Sequence, residues 1–124
     1  MKTLLFVAAG GAFGSAARYS VGMWTRTAGN FPWGTWLVNV TGSLALGFIA
    51  GYLASNSELD PAVRTGLTVG VLGGFTTFST WTVETVEMLG NGELGLALMN
   101  VLGAVVVGLL AAVVGLTLGR ATGA

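Results

Sequence analysis

The segment Gly73-Gly74-Phe75-Thr76-Thr77-Phe78-Ser79-Thr80-Trp81 sets four hydroxyl side chains and three aromatic rings directly after a pair of glycines. It does so inside an apolar run, where lipid penalises unpaired backbone groups and scattered hydroxyls alike. A double glycine is a place for a membrane helix to unwind, and the carbonyls released there need a partner. Carbonyls at such breaks commonly coordinate sodium, a hard cation satisfied by neutral oxygens. The nearest acidic residue, Glu84, lies a turn or more into the following half-helix. The competing reading is a simple kink repaired by the hydroxyls of Thr76 and Thr77. Phe75, Phe78 and Trp81 recur at intervals of three, either as a packing stripe or, for Trp81, as an interfacial anchor. Aromatic edges are electropositive, so rings set edge-on to a narrow path would touch an anion without trapping it. Thr76, Ser79 and Thr80 would add hydroxyl donors.

Three polar side chains elsewhere bear on the same chemistry. Arg18 stands inside the first apolar segment, at a cost of roughly 2.5–3.5 kcal/mol on insertion scales. It either snorkels to the headgroups or faces a wet vestibule and gives it a positive potential that favours anions. Asn39 lies in an uncharged span, with Thr35 and Ser43 four residues to either side on one helix face. Its amide NH2 either glues helices together or donates to an anion. Asn100 is the one polar side chain well inside the last span and is placed on the same polar track. Glu84 and Glu87 lie toward the far end of the third segment, where Glu84 would cap, pair or sit at a vestibule.

The elements that must hold these residues follow from composition. Of 124 residues 53% are hydrophobic and 8% charged, against about 25% charge in a soluble domain. Glycine supplies 21 residues, and between membrane helices small residues permit close backbone approach. Five basic and five acidic residues cancel, and no Lys/Arg cluster appears, which removes nucleic acid as a partner. The lack of cysteine and histidine removes disulfides, thiol chemistry, histidine-ligated haem and the common zinc sites. Met1-Lys2 before an apolar run resembles a signal peptide, but Arg18 inside the segment and the further spans favour a retained first helix.

Crossings of about 20 residues are expected over 3–23, 34–54, 62–89 and 94–118, the third broken near 73–76. The fold class is thus an all-α membrane protein with four transmembrane helices in a single domain over 1–124. Gly29-Asn30 and Pro32 mark the first turn, Glu58, Asp60 and Pro61 the second, and Asn91-Gly92 the third. Lys2, Arg64 and Arg120 fall on the side of the termini, while Arg26 lies opposite and Arg18 toward that opposite side. So weak a bias admits insertion in both orientations, and with it an antiparallel pair of like subunits. Gly10/Gly14, Ser43/Gly47/Gly51, Gly66/Gly70/Gly74 and Gly115/Gly119 repeat at intervals of four, which predicts tight helix packing in every span. Four short helices hardly enclose a polar path alone, which favours at least a dimer.

These residues resemble the CrcB/Fluc family of small bacterial fluoride channels. The resemblance runs through Gly10-Gly11-Ala12-Phe13-Gly14-Ser15-Ala16-Ala17-Arg18-Tyr19 and Gly34-Thr35-Trp36-Leu37-Val38-Asn39-Val40-Thr41-Gly42. Above all it rests on Gly70-Val71-Leu72-Gly73-Gly74-Phe75-Thr76-Thr77-Phe78-Ser79-Thr80-Trp81. It implies an antiparallel dual-topology dimer in the bacterial inner membrane, with paired fluoride pathways and a structural sodium ion between subunits. By resemblance, the backbone carbonyls of Gly73 and Thr76 would hold that sodium. Asn39 would match the pore asparagine, Arg18 the arginine of the first helix, and Phe78 the first ring of an aromatic box. The second ring, usually phenylalanine, is Trp81 here, which keeps an aromatic edge and adds an indole N–H. Of Asn100 and Ala104 on the last span, only Asn100 offers a polar group.

The implied mechanism is passive: fluoride that enters as HF and is trapped as an anion leaves down its electrochemical gradient. No enzymatic activity, nucleic acid or protein substrate is expected; the partners are the bilayer and a second chain, either the same or closely related. Two other classes remain. A small dual-topology multidrug exporter would need an embedded carboxylate where the first helix has Arg18. A membrane scaffold would leave Asn39, the double glycine and the hydroxyls without a common purpose.

Overall fold

The computed structural model describes residues 1–55 and 59–123; Glu58, placed by sequence in the second loop, lies outside them. The described residues form helices and turns only: α1 (Lys2–Thr25), α2 (Trp33–Ser55), α3 (Pro61–Thr65), a π-helical stretch (Gly66–Leu72), α4 (Gly73–Phe75), α5 (Phe78–Gly90) and α6 (Leu94–Gly123). At 1.5 Å per residue, α1 and α2 reach about 35 Å and α6 about 45 Å, against a hydrocarbon core of about 30 Å. These three are long and apolar enough to cross a membrane. The other long segment is assembled from pieces.

Local chemistry sets the ends. Asp60 caps α3 by accepting the Ala62 N–H at 2.8 Å, with Pro61 in the first helical position, where its missing N–H costs nothing. Gly29 and Gly92 adopt φ of 97° and 76°, the left-handed turns that only glycine enters freely. Backbone dihedrals stay helical from Thr65 through Gly73, so α3, the π-helical stretch and α4 form one continuous rod ending at Phe75. Widening to π-helical bonding just before that end was not foreseen from the sequence, and such stretches gather at functional positions.

Glycine decides which rods meet. In α2 and α6, a methyl on Gly51 would strike the Leu116 carbonyl, and one on Gly115 or Gly119 would strike the carbonyls of Leu44 and Phe48. A second seam joins α1 to the segment 61–75. There a Cβ on Gly70 would stand 2.8 Å from Val7 O, and one on Gly74 2.7 Å from Gly11 O. Lipid supplies no hydrophobic drive between helices, so such close packing is the main force available. Outward-facing Leu102, Leu109, Leu110 and Val113 remain exposed, an apolar exterior suited to acyl chains.

Candidate functional site

The rod of the third segment stops at Thr76 and Thr77, whose backbones are extended (φ −86°, ψ 160° and φ −151°, ψ 125°). The break therefore lies just past the glycine pair. Gly73 is helical, and Gly74 serves the close approach to α1. The interruption comes instead from a side chain. Asn39, on α2, donates Nδ2–H to Thr77 O at 2.9 Å and accepts the Thr77 N–H on Oδ1 at 2.8 Å. One amide thus satisfies both backbone groups of the residue at the break, as an adjacent β-strand would. Of the alternatives from the sequence, the bond joining helices is seen; the NH2 has a second hydrogen, and Asn39 also borders the groove described below.

Two carbonyls lose their helical donors in consequence. In an α-helix Gly73 O would accept from the N–H of Thr77, and that N–H points to Asn39. Thr76 O would accept from Thr80, whose N–H bonds to Thr77 Oγ1 at 3.3 Å in an N-cap that starts α5. These are the two carbonyls assigned to sodium by resemblance. Each is neutral, each belongs to a residue lining one groove, and together they are the kind of donor set a hard monovalent cation takes. No cluster of acidic residues for a metal occurs among the described residues.

The groove beside the break encloses about 390 Å³. Asn39 and Ser43 of α2, Gly73 of α4, Thr76 and Thr77 of the break, Phe78 and Trp81 of α5 and Ala104 of α6 border it, and no lining residue is charged. Any ion here meets dipoles and ring edges, not a counter-charge. Phe78 and Trp81 lie 5.4 Å apart between ring centroids at 41°. Phe78 is 76% exposed, whereas the Trp81 indole N–H donates to Asn100 O at 3.3 Å. Phase is lost across the break, so Phase-matched Phe75 leaves the aromatic set: its ring turns to Gly42, 3.6 Å from where a Cβ would stand.

Other candidates fall outside the groove lining. Ser79 and Thr80 are exposed on the first turn of α5, and Arg18 is half-buried on α1. Asn100 is fully buried and donates to Thr85 Oγ1 at 3.0 Å, so it faces α5. Thr77 carries more than sequence reasoning gave it: partner of Asn39 and N-cap of α5 at once. The Thr-x-x-Thr spacing of Thr77 and Thr80 was its only signal. A second cavity of about 270 Å³, under the loop between α1 and α2, is bordered by Thr25, Arg26, Asn30, Thr35 and Glu84. There Thr35 donates to Glu84 Oε1 at 2.8 Å, so Glu84 is hydrogen-bonded and borders this cavity, while its Oε2 has no partner among the described residues.

Membrane-length helices around a discontinuous one, with an uncharged groove at the discontinuity, define a small polytopic membrane protein. The chain belongs to the CrcB family, described as CrcB-like protein, Camphor Resistance, which it matches over residues 5–116. It is similar to the fluoride-specific ion channel FluC of Agrobacterium fabrum, 44% identical over 122 residues that cover 97% of this chain and 98% of the relative. FluC 2 of Symbiobacterium thermophilum is 49% identical over 111 residues, covering 88% and 90%. The FluC of Thermus thermophilus is 44% identical over 123 residues, covering 98% and 96%.

Proposed function

We propose that this protein is a fluoride-selective passive channel that lets cytoplasmic fluoride leave the cell and so reduces its toxicity. The observation that carries the reading is the uncharged groove in which Asn39, Phe78 and Trp81 meet the helix break. Fluoride is small and strongly hydrated, so a selective path must replace water with donors that do not bind too tightly. The free hydrogen of the Asn39 amide and the ring edges of Phe78 and Trp81 supply such donors. Arg18 would face a wet entrance and give it a positive potential, and Ser79 and Thr80 offer hydroxyls on the open face of α5.

The groove is open on one side and Phe78 is largely uncovered, which supports a second copy of this or a closely related chain packed antiparallel across it. The carbonyls of Gly73 and Thr76, with their counterparts in that copy, would hold a structural sodium ion. When bound, that ion would neutralise the carbonyl dipoles and join the subunits. Transport needs neither nucleotide nor proton coupling, and the working location is the bacterial inner membrane, crossed by several helices.

The test is efflux from liposomes loaded with potassium fluoride or potassium chloride, started with a potassium ionophore. Rapid fluoride release with almost no chloride release is expected; equal release of both, or none of either, contradicts the reading. Exchanging sodium for a large organic cation should lower the unfolding temperature of the purified protein, and no change in stability or flux argues against the cation site.

A further inference from the structure

The ring at position 81 belongs to a closed circuit of hydrogen bonds. Trp81 Nε1–H donates to the main-chain carbonyl of Asn100 at 3.3 Å, Asn100 Nδ2–H donates to Thr85 Oγ1 at 3.0 Å, and Thr85 Oγ1–H donates to the main-chain carbonyl of Trp81 at 2.8 Å. The circuit leaves α5 through the indole, turns on α6 and returns to the residue where it began. Thr85 uses its single hydroxyl hydrogen toward Trp81 and a lone pair toward Asn100, so it both gives and accepts. Asn100 is completely buried, where a broken bond has no water to replace it. Phe78, the other ring at the groove, has no polar handle and is mostly exposed. One ring of the pair is tethered and the other is not.

We propose that Trp81 is a specificity-determining residue whose indole N–H latches the ring to α6 and is not a ligand for the transported anion. Thr85 and Asn100 are positioning residues that set the latch. With its N–H spent on Asn100, the indole offers the groove only C–H edges, so tryptophan acts as a held aromatic wall. A wall held from behind keeps the path narrow against a larger halide; a released ring widens it. Thr85 does not line the groove, so any effect of its hydroxyl on selectivity passes through Trp81. The selectivity half of the proposal rests on the fluoride reading, whereas the latch does not.

The experiment follows the indole N–H resonance of the full chain in lipid nanodiscs, assigned by its disappearance in Trp81→Phe. In the unsubstituted protein the proton exchanges slowly and its shift is indifferent to added sodium fluoride. In Thr85→Val exchange speeds up roughly tenfold, and the ratio of fluoride to chloride efflux falls. Thr85→Ser, which restores the hydroxyl, restores both. A saturable fluoride-dependent shift of the indole proton, absent with chloride, would overturn the latch, and this measurement needs no variant to fold. Unchanged exchange in Thr85→Val would overturn it equally, and faster exchange with an unchanged ratio would overturn the role in selectivity. If the unsubstituted protein passes no fluoride, the channel reading fails, and the exchange rates still decide the latch.

Discussion

Along the seam between α2 and α6, each helix satisfies its own backbone, and glycines let two finished rods touch at Gly51, Gly115 and Gly119. At Thr77 the helix abandons its own bonds and a side chain from α2 replaces them. At the seam glycines there is no room for even a methyl group. The break has diverted donors, carbonyls with lone pairs to offer and an open groove. Close packing is thus concentrated at the glycine seam, and backbone chemistry is exposed at the break between two rods. The two regions share α2: Asn39 sits on the same helix that the glycine seam locks to α6.

Substitutions should separate the regions by the kind of damage they do. The largest effect is expected at the seam. Gly115→Val would drive a branched side chain into the Leu44 backbone, which has no flexible end to yield. A loss of about 3 kcal/mol or more is expected, read as loss of monodisperse protein after detergent extraction. Gly95→Ala meets nothing within 4 Å and should leave that yield unchanged. Asn39→Ala comes next. It strands the Thr77 N–H and carbonyl at a cost of about 2 kcal/mol, so the protein should remain extractable with a lower unfolding temperature while fluoride efflux drops more than about tenfold. Folded protein with normal efflux would show that the amide pair is only structural. Thr77→Val removes the cap of α5 and should cost about 1 kcal/mol, with a correspondingly smaller shift in unfolding temperature.

The smallest effect lies outside both regions. Lys2 Nζ pairs with Asp60 Oδ2 at 2.6 Å, both side chains being well exposed. That hydrogen bond, then the Ala62 N–H, lowers the Asp60 pKa below its ordinary 3.8. A carboxyl whose folded pKa is depressed stabilises the fold above its unfolded pKa, and that contribution disappears as the pH falls through the folded value. Asp60→Asn should therefore lower the unfolding temperature slightly at neutral pH. The gap should close in acid, below the lowered pKa, and shrink in high salt. A gap that persists in acid would assign the effect to capping alone.

Much of this was legible in the sequence because it is local. Long apolar runs, the Asp60-Pro61 start, the turn glycines Gly29 and Gly92 and the four-residue glycine spacings are properties of neighbours along the chain. What required the third dimension was hidden. The glycine spacings announced close packing without saying which helices would pair. The Gly73-Gly74 pair suggested unwinding, yet the helical bond is broken by Asn39, a residue 38 positions before Thr77. Phe75 kept phase with Phe78 and Trp81 only as long as the helix was taken as unbroken. Trp81 was a plain departure from phenylalanine until α6 brought Asn100 within reach of its indole.

The direct test of conduction through the uncharged groove is the reversal potential of the reconstituted protein in a planar bilayer with opposed fluoride and chloride gradients. A fluoride-selective path predicts a potential that follows the fluoride gradient at about 59 mV per tenfold and ignores the chloride gradient. A potential that follows chloride, or the cation gradient set by sodium, would contradict it.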